Sequence, residues 1–183
     1  MENNLLENTY ENKNFLTRTY FKRKIDASIK IANLKKEDII LDFGCGAGWL
    51  EKKLKGFNII GYDINPDKTF IKDYRTLKPT KIFCLDVFEH ILPSEIRRTI
   101  NNFKEMNDNF QLVVSIPTGN FISRKVRKLV GKTEVPKEHI TSYEDILKIL
   151  KENFEVKKKV NFFTVTKIFL LGPKKIKNIP LCK

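Results

Sequence analysis

Cysteine, histidine and long apolar runs are all scarce in this sequence. Its three cysteines, Cys45, Cys84 and Cys182, form no CxxC pair, so neither a disulfide framework nor a zinc ribbon is indicated. The longest apolar stretch, residues 162–172, contains Lys167 and is shorter than the ~20 residues of a membrane-spanning helix. The first residues are acidic and rich in asparagine, unlike a signal peptide. We therefore expect a cytoplasmic protein without disulfides or a transmembrane segment.

The composition is that of a folded but strongly basic chain. The 183 residues are 41% hydrophobic, which is enough for a real core. Lysine and arginine number 35 against 22 acidic residues, a formal net charge of +13. Such a charge bears on the choice of partners and not on the fold. We predict a loose leader over residues 1–13 and a single domain over residues 14–183.

Strands and helices are predicted to alternate along the chain. Apolar runs predict strands at 38–43, 57–63, 81–87, 111–116, 154–160 and 162–171. Helical spacing predicts helices at 15–34, 49–55, from about 93, and at 142–153. The last two strands are too close in sequence for a parallel crossover, so they pair antiparallel. The fold class is α/β, a doubly wound, mostly parallel sheet with an antiparallel C-terminal strand.

The first predicted helix is amphipathic. Its apolar residues Phe21, Ile25, Ile29 and Ala32 follow the spacing of one helical face. We expect its lysines and arginines to point outward.

A glycine-rich turn follows the first predicted strand. The pattern is Asp42-x-Gly44-x-Gly46-x-Gly48, and Asp63 closes the next strand 19 residues after Gly44. Glycines let the backbone turn tightly and approach a ligand, and an acid at the next strand end can accept both ribose hydroxyls. Trp49 stands where the dinucleotide fingerprint GxGxxG needs glycine, and no phosphate-binding lysine follows. The pattern predicts a nucleoside site of another kind.

These motifs resemble the class I S-adenosylmethionine-dependent methyltransferases. IILDFGCGAGWLEKKL is similar to their first motif and IIGYDINP to their second strand. CLDVFEHI resembles the fourth-strand motif of the branch that contains the quinone-biosynthesis O-methyltransferases. SIPTGN and NFFTVTKIFLLGPKK are similar to the fifth and final strands. The resemblance covers about residues 36–175.

The resemblance implies a set of cofactor contacts. The glycine turn would face the methionine part, with Asp42 near the amino group and Asp63 on the ribose. Ile64 would pack on the adenine, and the sulfonium would be bordered by the end of the third predicted strand. The complete implied set is Asp42, Gly44, Cys45, Gly46, Gly48, Asp63, Ile64, Leu85 and Asp86.

One segment departs from the family pattern. Only 17 residues separate Asp63 from Lys81, where the family fits a helix, a strand and another helix. We predict one helix over residues 66–77 and the loss of the edge strand. The alternative treats FIKDY as that strand and makes Asp73 the adenine contact.

Both histidines lie in segments where a methyl acceptor would bind. Asp86, Glu89 and His90 have helical spacing, and His139 follows the fifth strand of the family pattern. These four residues could hold Mg²⁺ or Mn²⁺, and their pattern is similar to that of small-RNA 2′-O-methyltransferases. A rival interpretation makes His90 or His139 a general base without metal. In the simplest alternative, Glu89 and His90 only cap the following helix.

Residues 121–132, FISRKVRKLVGK, hold five basic residues and no acid. The segment could grip RNA phosphates, lie on an anionic membrane near a lipid-like acceptor, or be a solvated basic face.

The predicted function is methyl transfer from S-adenosylmethionine to an oxygen (or nitrogen) of an unidentified anionic or lipid-like acceptor. The alternatives are a metal-dependent RNA 2′-O-methyltransferase and a non-catalytic nucleoside-binding protein with a degenerate methyltransferase fold.

Overall fold

Six strands and four α-helices make up most of the described chain. The computed structural model describes residues 15–69, 71–118 and 140–174. The strands are β1 (Ile39–Phe43), β2 (Asn58–Tyr62), β3 (Lys81–Leu85), β4 (Gln111–Pro117), β5 (Phe154–Phe162) and β6 (Thr166–Pro173). The helices are α1 (Phe15–Ala32), α2 (Trp49–Lys53), α3 (Pro93–Met106) and α4 (Tyr143–Asn153), with 3₁₀ turns at Tyr74–Thr76 and Phe88–His90. The predicted leader, residues 1–13, lies outside the described residues.

The strands form one mixed sheet in the order β2-β1-β3-β4-β6-β5. The first four strands run parallel, and β6 pairs antiparallel with both β4 and β5. The prediction of a doubly wound, mostly parallel sheet with an antiparallel C-terminal strand is confirmed. Because β1 to β4 are parallel, their carboxyl ends meet at one edge of the sheet, where ligands of such folds bind.

Both faces of the sheet are covered by helices. Helices α1 and α2 pack on one face through residues that include Ile25, Ala32 and Leu50. Helices α3 and α4 cover the other face with residues such as Phe103 and Ile149. Neighbouring strand residues alternate between the two cores, as expected for strands buried on both faces.

The predicted helix over residues 66–77 is wrong. The described part of this segment is a turn near residues 66–68 followed by the 3₁₀ turn. Three carboxylate or amide side chains accept hydrogen bonds from backbone N–H groups two residues ahead: Asp63 from Asn65 (2.9 Å), Asn65 from Asp67 (3.0 Å) and Asp73 from Arg75 (3.0 Å). Such local turns compete with helix formation.

The alternative strand for this segment is wrong too. Asp73 caps the 3₁₀ turn and forms an ion pair with Arg75, with an oxygen–nitrogen distance of 2.8 Å. The described residues place no strand beyond β2, so the loss of the family's edge strand is confirmed and β2 is an outer strand.

The turn between the last two strands is displaced from its predicted position. We expected the break near residue 161, but β5 runs to Phe162 and the chain turns at Phe163 and Thr164. Both residues have positive φ, 48° and 57°, as in the tight turns that suit hairpin twist. Neither is the glycine or asparagine that usually signals such a turn.

Lys24 contradicts the prediction that the basic residues of α1 point outward. Its side chain is 1% exposed, on the face that also buries Ile25 and Ser28. A buried ammonium needs a compensating charge, and Lys24 has one in the carboxylate of Asp86.

Candidate cofactor and acceptor site

The glycine turn after β1 is attached to the end of β2. Both Gly44 N–H and Cys45 N–H donate to the carbonyl of Tyr62, at 2.7 and 3.1 Å. Gly44 has φ 81°, and a Cβ there would lie 2.5 Å from Val87 Cγ2. Only glycine fits this backbone and this space. The turn is therefore held at the carboxyl edge of the sheet.

Asp63 orders the loops on both sides of this edge. One carboxylate oxygen accepts from Gly46 N–H and the other from Asn65 N–H, each at 2.9 Å. Each carboxylate oxygen can accept a second hydrogen bond, so these contacts leave capacity for two hydroxyl groups. The arrangement suits the ribose diol that the sequence predicts there.

Cys45 and Ile64 differ in their surroundings. The Cys45 thiol donates to the carbonyl of Lys68 at 3.5 Å, and burial with nearby carboxylates raises its pKa to about 12. The thiol therefore stays protonated near neutral pH and is a poor nucleophile. Ile64 is 92% exposed, so its predicted adenine contact would have to form when a ligand binds.

Asp86 lies just beyond β3 and is held by two side chains. Ser115 donates to one carboxylate oxygen at 2.6 Å, and the ammonium of Lys24 forms an ion pair with the other. The backbone of Asp86 is left-handed, with φ 56°, which directs the chain into the following 3₁₀ turn. The cation that Asp86 binds in this structure is thus an amino group of α1.

The predicted metal group is only partly assembled. Glu89 and His90 are neighbours, with 3.9 Å between Glu89 Oε1 and His90 Nε2. Across residues 15–69, 71–118 and 140–174, no three acidic, histidine or cysteine side chains form a group able to hold a metal ion. His139 and the basic segment 121–132 lie outside the described residues. The choice between metal ligand and general base for His90 and His139 stays a prediction.

The sequence interpretation missed Lys24 and Ser115, which hold Asp86, and Glu51, whose carboxyl group lies against Gly61, the strand partner of Asp42. Lys24 and Ser28 follow Phe21 at helical spacing, so the same periodicity that placed Ile25 inward could have placed them there. Ser115 on β4 and Glu51 on α2 meet the site only through tertiary packing, for which the sequence carries no local signal.

The doubly wound sheet and the glycine turn define the Rossmann-like class of nucleoside-binding α/β proteins. The chain belongs to the methyltransferase domain family, whose model matches residues 15–157, and thus to the class I S-adenosylmethionine-dependent methyltransferases. The family predicted from the sequence is confirmed, but the branch of the quinone-biosynthesis enzymes stays a prediction. No curated protein matches the chain significantly.

Solved structures share this fold at low sequence identity. Magnesium protoporphyrin IX methyltransferase from Synechocystis PCC 6803 with bound SAH is 21% identical, with a TM-score of 0.67 over 92% of this chain and 93% of that chain. The N-methyltransferase NodS from Bradyrhizobium japonicum WM9 is 14% identical, with a TM-score of 0.67 over 93% and 97%. A SAM-dependent methyltransferase from Aquifex aeolicus has a TM-score of 0.63 at 14% identity, over 82% and 89%. Among the described helices, none is both long and apolar enough to span a bilayer.

Proposed function

We propose that this enzyme methylates an oxygen (or nitrogen) of an anionic or lipid-like acceptor, at the edge formed by Gly44, Asp63 and Asp86. When bound, S-adenosylmethionine supplies a methyl group already activated by its sulfonium. The protein then has to hold donor and acceptor in line, and this positioning accounts for much of the catalysis. The observation that carries the proposal is the glycine turn bonded to β2 with the Asp63 carboxylate beside it.

The residues at this edge fit the cofactor. The left-handed Gly44 leaves backbone exposed to a ligand, and Asp63 keeps hydrogen-bonding capacity for a ribose. Asp42, 4% exposed, supplies a carboxyl group for an ammonium. Leu85 and Asp86 lie at the carboxyl end of β3, at the same edge of the sheet. Asp86 is neutralised by Lys24, so it offers less net negative charge to a sulfonium than a lone carboxylate would.

Two features support an anionic acceptor. The chain carries a net charge of +13, which draws anions toward it. The basic segment 121–132 follows β4, and we propose that it contacts the anionic surface on which a lipid-like acceptor lies.

Asp63→Asn is expected to weaken S-adenosylmethionine binding by about 10–100-fold, because it removes a charged acceptor of hydrogen bonds from ribose. Calorimetric titration of the full chain measures this directly. Asp67→Asn, an exposed acid in the same loop, serves as the control and should leave Kd unchanged. Wild-type protein that does not bind the cofactor would overturn the proposed function.

Labelled cofactor added to cell extracts should mark the lipid or anionic small-molecule fraction.

Glutamine at the basic positions of 121–132 should weaken binding to anionic vesicles by at least about 100-fold, because each cation near such a surface contributes about 1 kcal/mol. The substituted residues are Arg124, Lys125, Arg127 and Lys128, and the charge-matched control replaces Lys22, Lys30, Lys35 and Lys55. Loss of RNA binding with unchanged vesicle binding, or label in RNA, would contradict this acceptor class.

A further inference from the structure

The carboxyl group of Glu51 is buried between α2 and β2. Neither of its oxygens contacts solvent. Gly61 on β2 lies opposite, and a Cβ at that position would overlap Glu51 Oε1. Glycine at residue 61 therefore makes the room that the Glu51 carboxyl group occupies.

The neighbour of this carboxyl group is another acid. Asp42 is 4% exposed and pairs across β1 and β2 with Gly61, the residue against which Glu51 Oε1 lies, so the two carboxyl groups are neighbours. Two ionised carboxylates can only accept, so a hydrogen bond between them requires a proton on one of them. Keeping both ionised in a buried place would also cost the repulsion of like charges at low dielectric.

The surrounding groups do not supply the missing positive charge. Asp63 at the end of β2 adds further negative charge near Asp42, and the thiols of Cys45 and Cys84 are neutral. Lys52 on α2 favours ionised Glu51, but it acts more weakly than burial does. Burial, with the repulsion between the two acids, raises the pKa of Asp42 well above its usual value, and burial also raises the pKa of Glu51.

We propose that Asp42 and Glu51 share one proton in the cofactor-free protein and release it to solvent when the α-ammonium of S-adenosylmethionine binds beside Asp42. Glu51 is then a positioning residue, because it acts on the cofactor through Asp42. This inference rests on the proposed function. In the exchange, an O–H bond of the pair is broken, the proton leaves for buffer, and the second negative charge faces the incoming cation.

The direction of the pH dependence follows from this exchange. Below the pKa of the pair, binding must expel a proton, so Kd should rise about tenfold for each unit by which pH falls. Above that pKa the pair is already ionised and Kd should level off. Glu51→Gln removes the like charge and gives Asp42 a neutral amide donor, which lowers the pKa of Asp42, so Kd should depend less on pH than in wild type.

The experiment is calorimetric titration of the full chain with S-adenosylmethionine between about pH 6 and pH 8, in buffers of different ionisation enthalpy. Wild type should release a fraction of a proton that grows as the pH falls. Glu51→Gln should release clearly fewer protons and bind several-fold more tightly than wild type at the low end of this range. Glu105→Gln, which changes an exposed helical glutamate, should behave as wild type.

A second ligand tests whether the charged methionine part of the cofactor displaces the proton. Methylthioadenosine keeps the nucleoside but lacks both the α-ammonium and the sulfonium charge, so it should bind without proton release. Equal proton release by wild type and Glu51→Gln, or by both ligands, would overturn the inference while leaving cofactor binding intact. Absence of any cofactor binding by wild type would instead overturn the proposed function.

Discussion

Gly44→Ala is expected to abolish measurable cofactor binding and to destabilise the fold. Its Cβ would lie 2.5 Å from Val87 Cγ2, on a backbone with φ 81° that disfavours any side chain. Left-handed strain and overpacking each cost about 1–3 kcal/mol, so we expect a loss of about 3 kcal/mol in the free energy of unfolding. Displacing the turn would also break its two bonds to Tyr62, which predicts at least about 100-fold weaker binding.

Gly56→Ala separates these two effects. Gly56 has a similar φ of 89°, but the nearest atom to its added Cβ is Lys36 Nζ at 3.7 Å. It precedes β2 and therefore lies at the opposite edge of the parallel strands from the glycine turn. This variant should lose about 1 kcal/mol of stability and keep the wild-type Kd for S-adenosylmethionine. Urea unfolding and calorimetry measure the two quantities. A Gly44→Ala protein with wild-type Kd would show that this turn does not contact the cofactor.

Asp86→Asn is expected to destabilise the protein by about 3 kcal/mol, and Lys24→Met by about 1 kcal/mol. The difference arises because Lys24 is 1% exposed and Asp86 is 27% exposed. Asparagine leaves a buried ammonium facing a neutral amide, whereas methionine leaves a carboxylate that water and Ser115 still solvate. Asparagine tolerates the left-handed backbone of residue 86 as well as aspartate does, so backbone strain does not confound the comparison.

The double variant completes the test. Lys24→Met with Asp86→Asn removes both charges, and it should be more stable than Asp86→Asn alone. Urea unfolding of the four proteins gives the coupling energy between the two side chains. If the destabilisation of the double variant equals the sum of the two single effects, the ion pair does not stabilise the attachment of α1 to the site.

The fold was largely predictable because its signals are local. Apolar runs fixed β1 to β4, and the short separation of the last two strands required their antiparallel pairing. The helix over residues 66–77 was predicted because too few residues lie between Asp63 and Thr69 for a parallel crossover to another strand. That prediction is wrong because the side chains of Asp63, Asn65 and Asp73 form local turns instead. The position of the hairpin turn was predicted wrongly because Phe163 and Thr164 are not residues that usually adopt positive φ.

The site residues likewise fall into those with a local sequence signal and those without one. Gly44 and Asp63 belong to a motif with fixed spacing, so their placement at one edge followed from the sequence. Lys24 and Glu51 reach Asp86 and Asp42 from helices on which their position alone says little about contacts. Charge pairs between distant segments depend on the packed structure, which a single sequence does not encode locally.

The loss of the edge strand affects how the protein is protected from aggregation. An outer strand offers unpaired backbone groups to which a strand of another chain can add, and this is a route to aggregation. At one margin of the sheet, β2 is only five residues long, which limits such pairing. At the other margin, β5 carries Lys157, Lys158 and Lys159, whose mutual repulsion disfavours stacking of copies. Shortness protects one margin and charge protects the other.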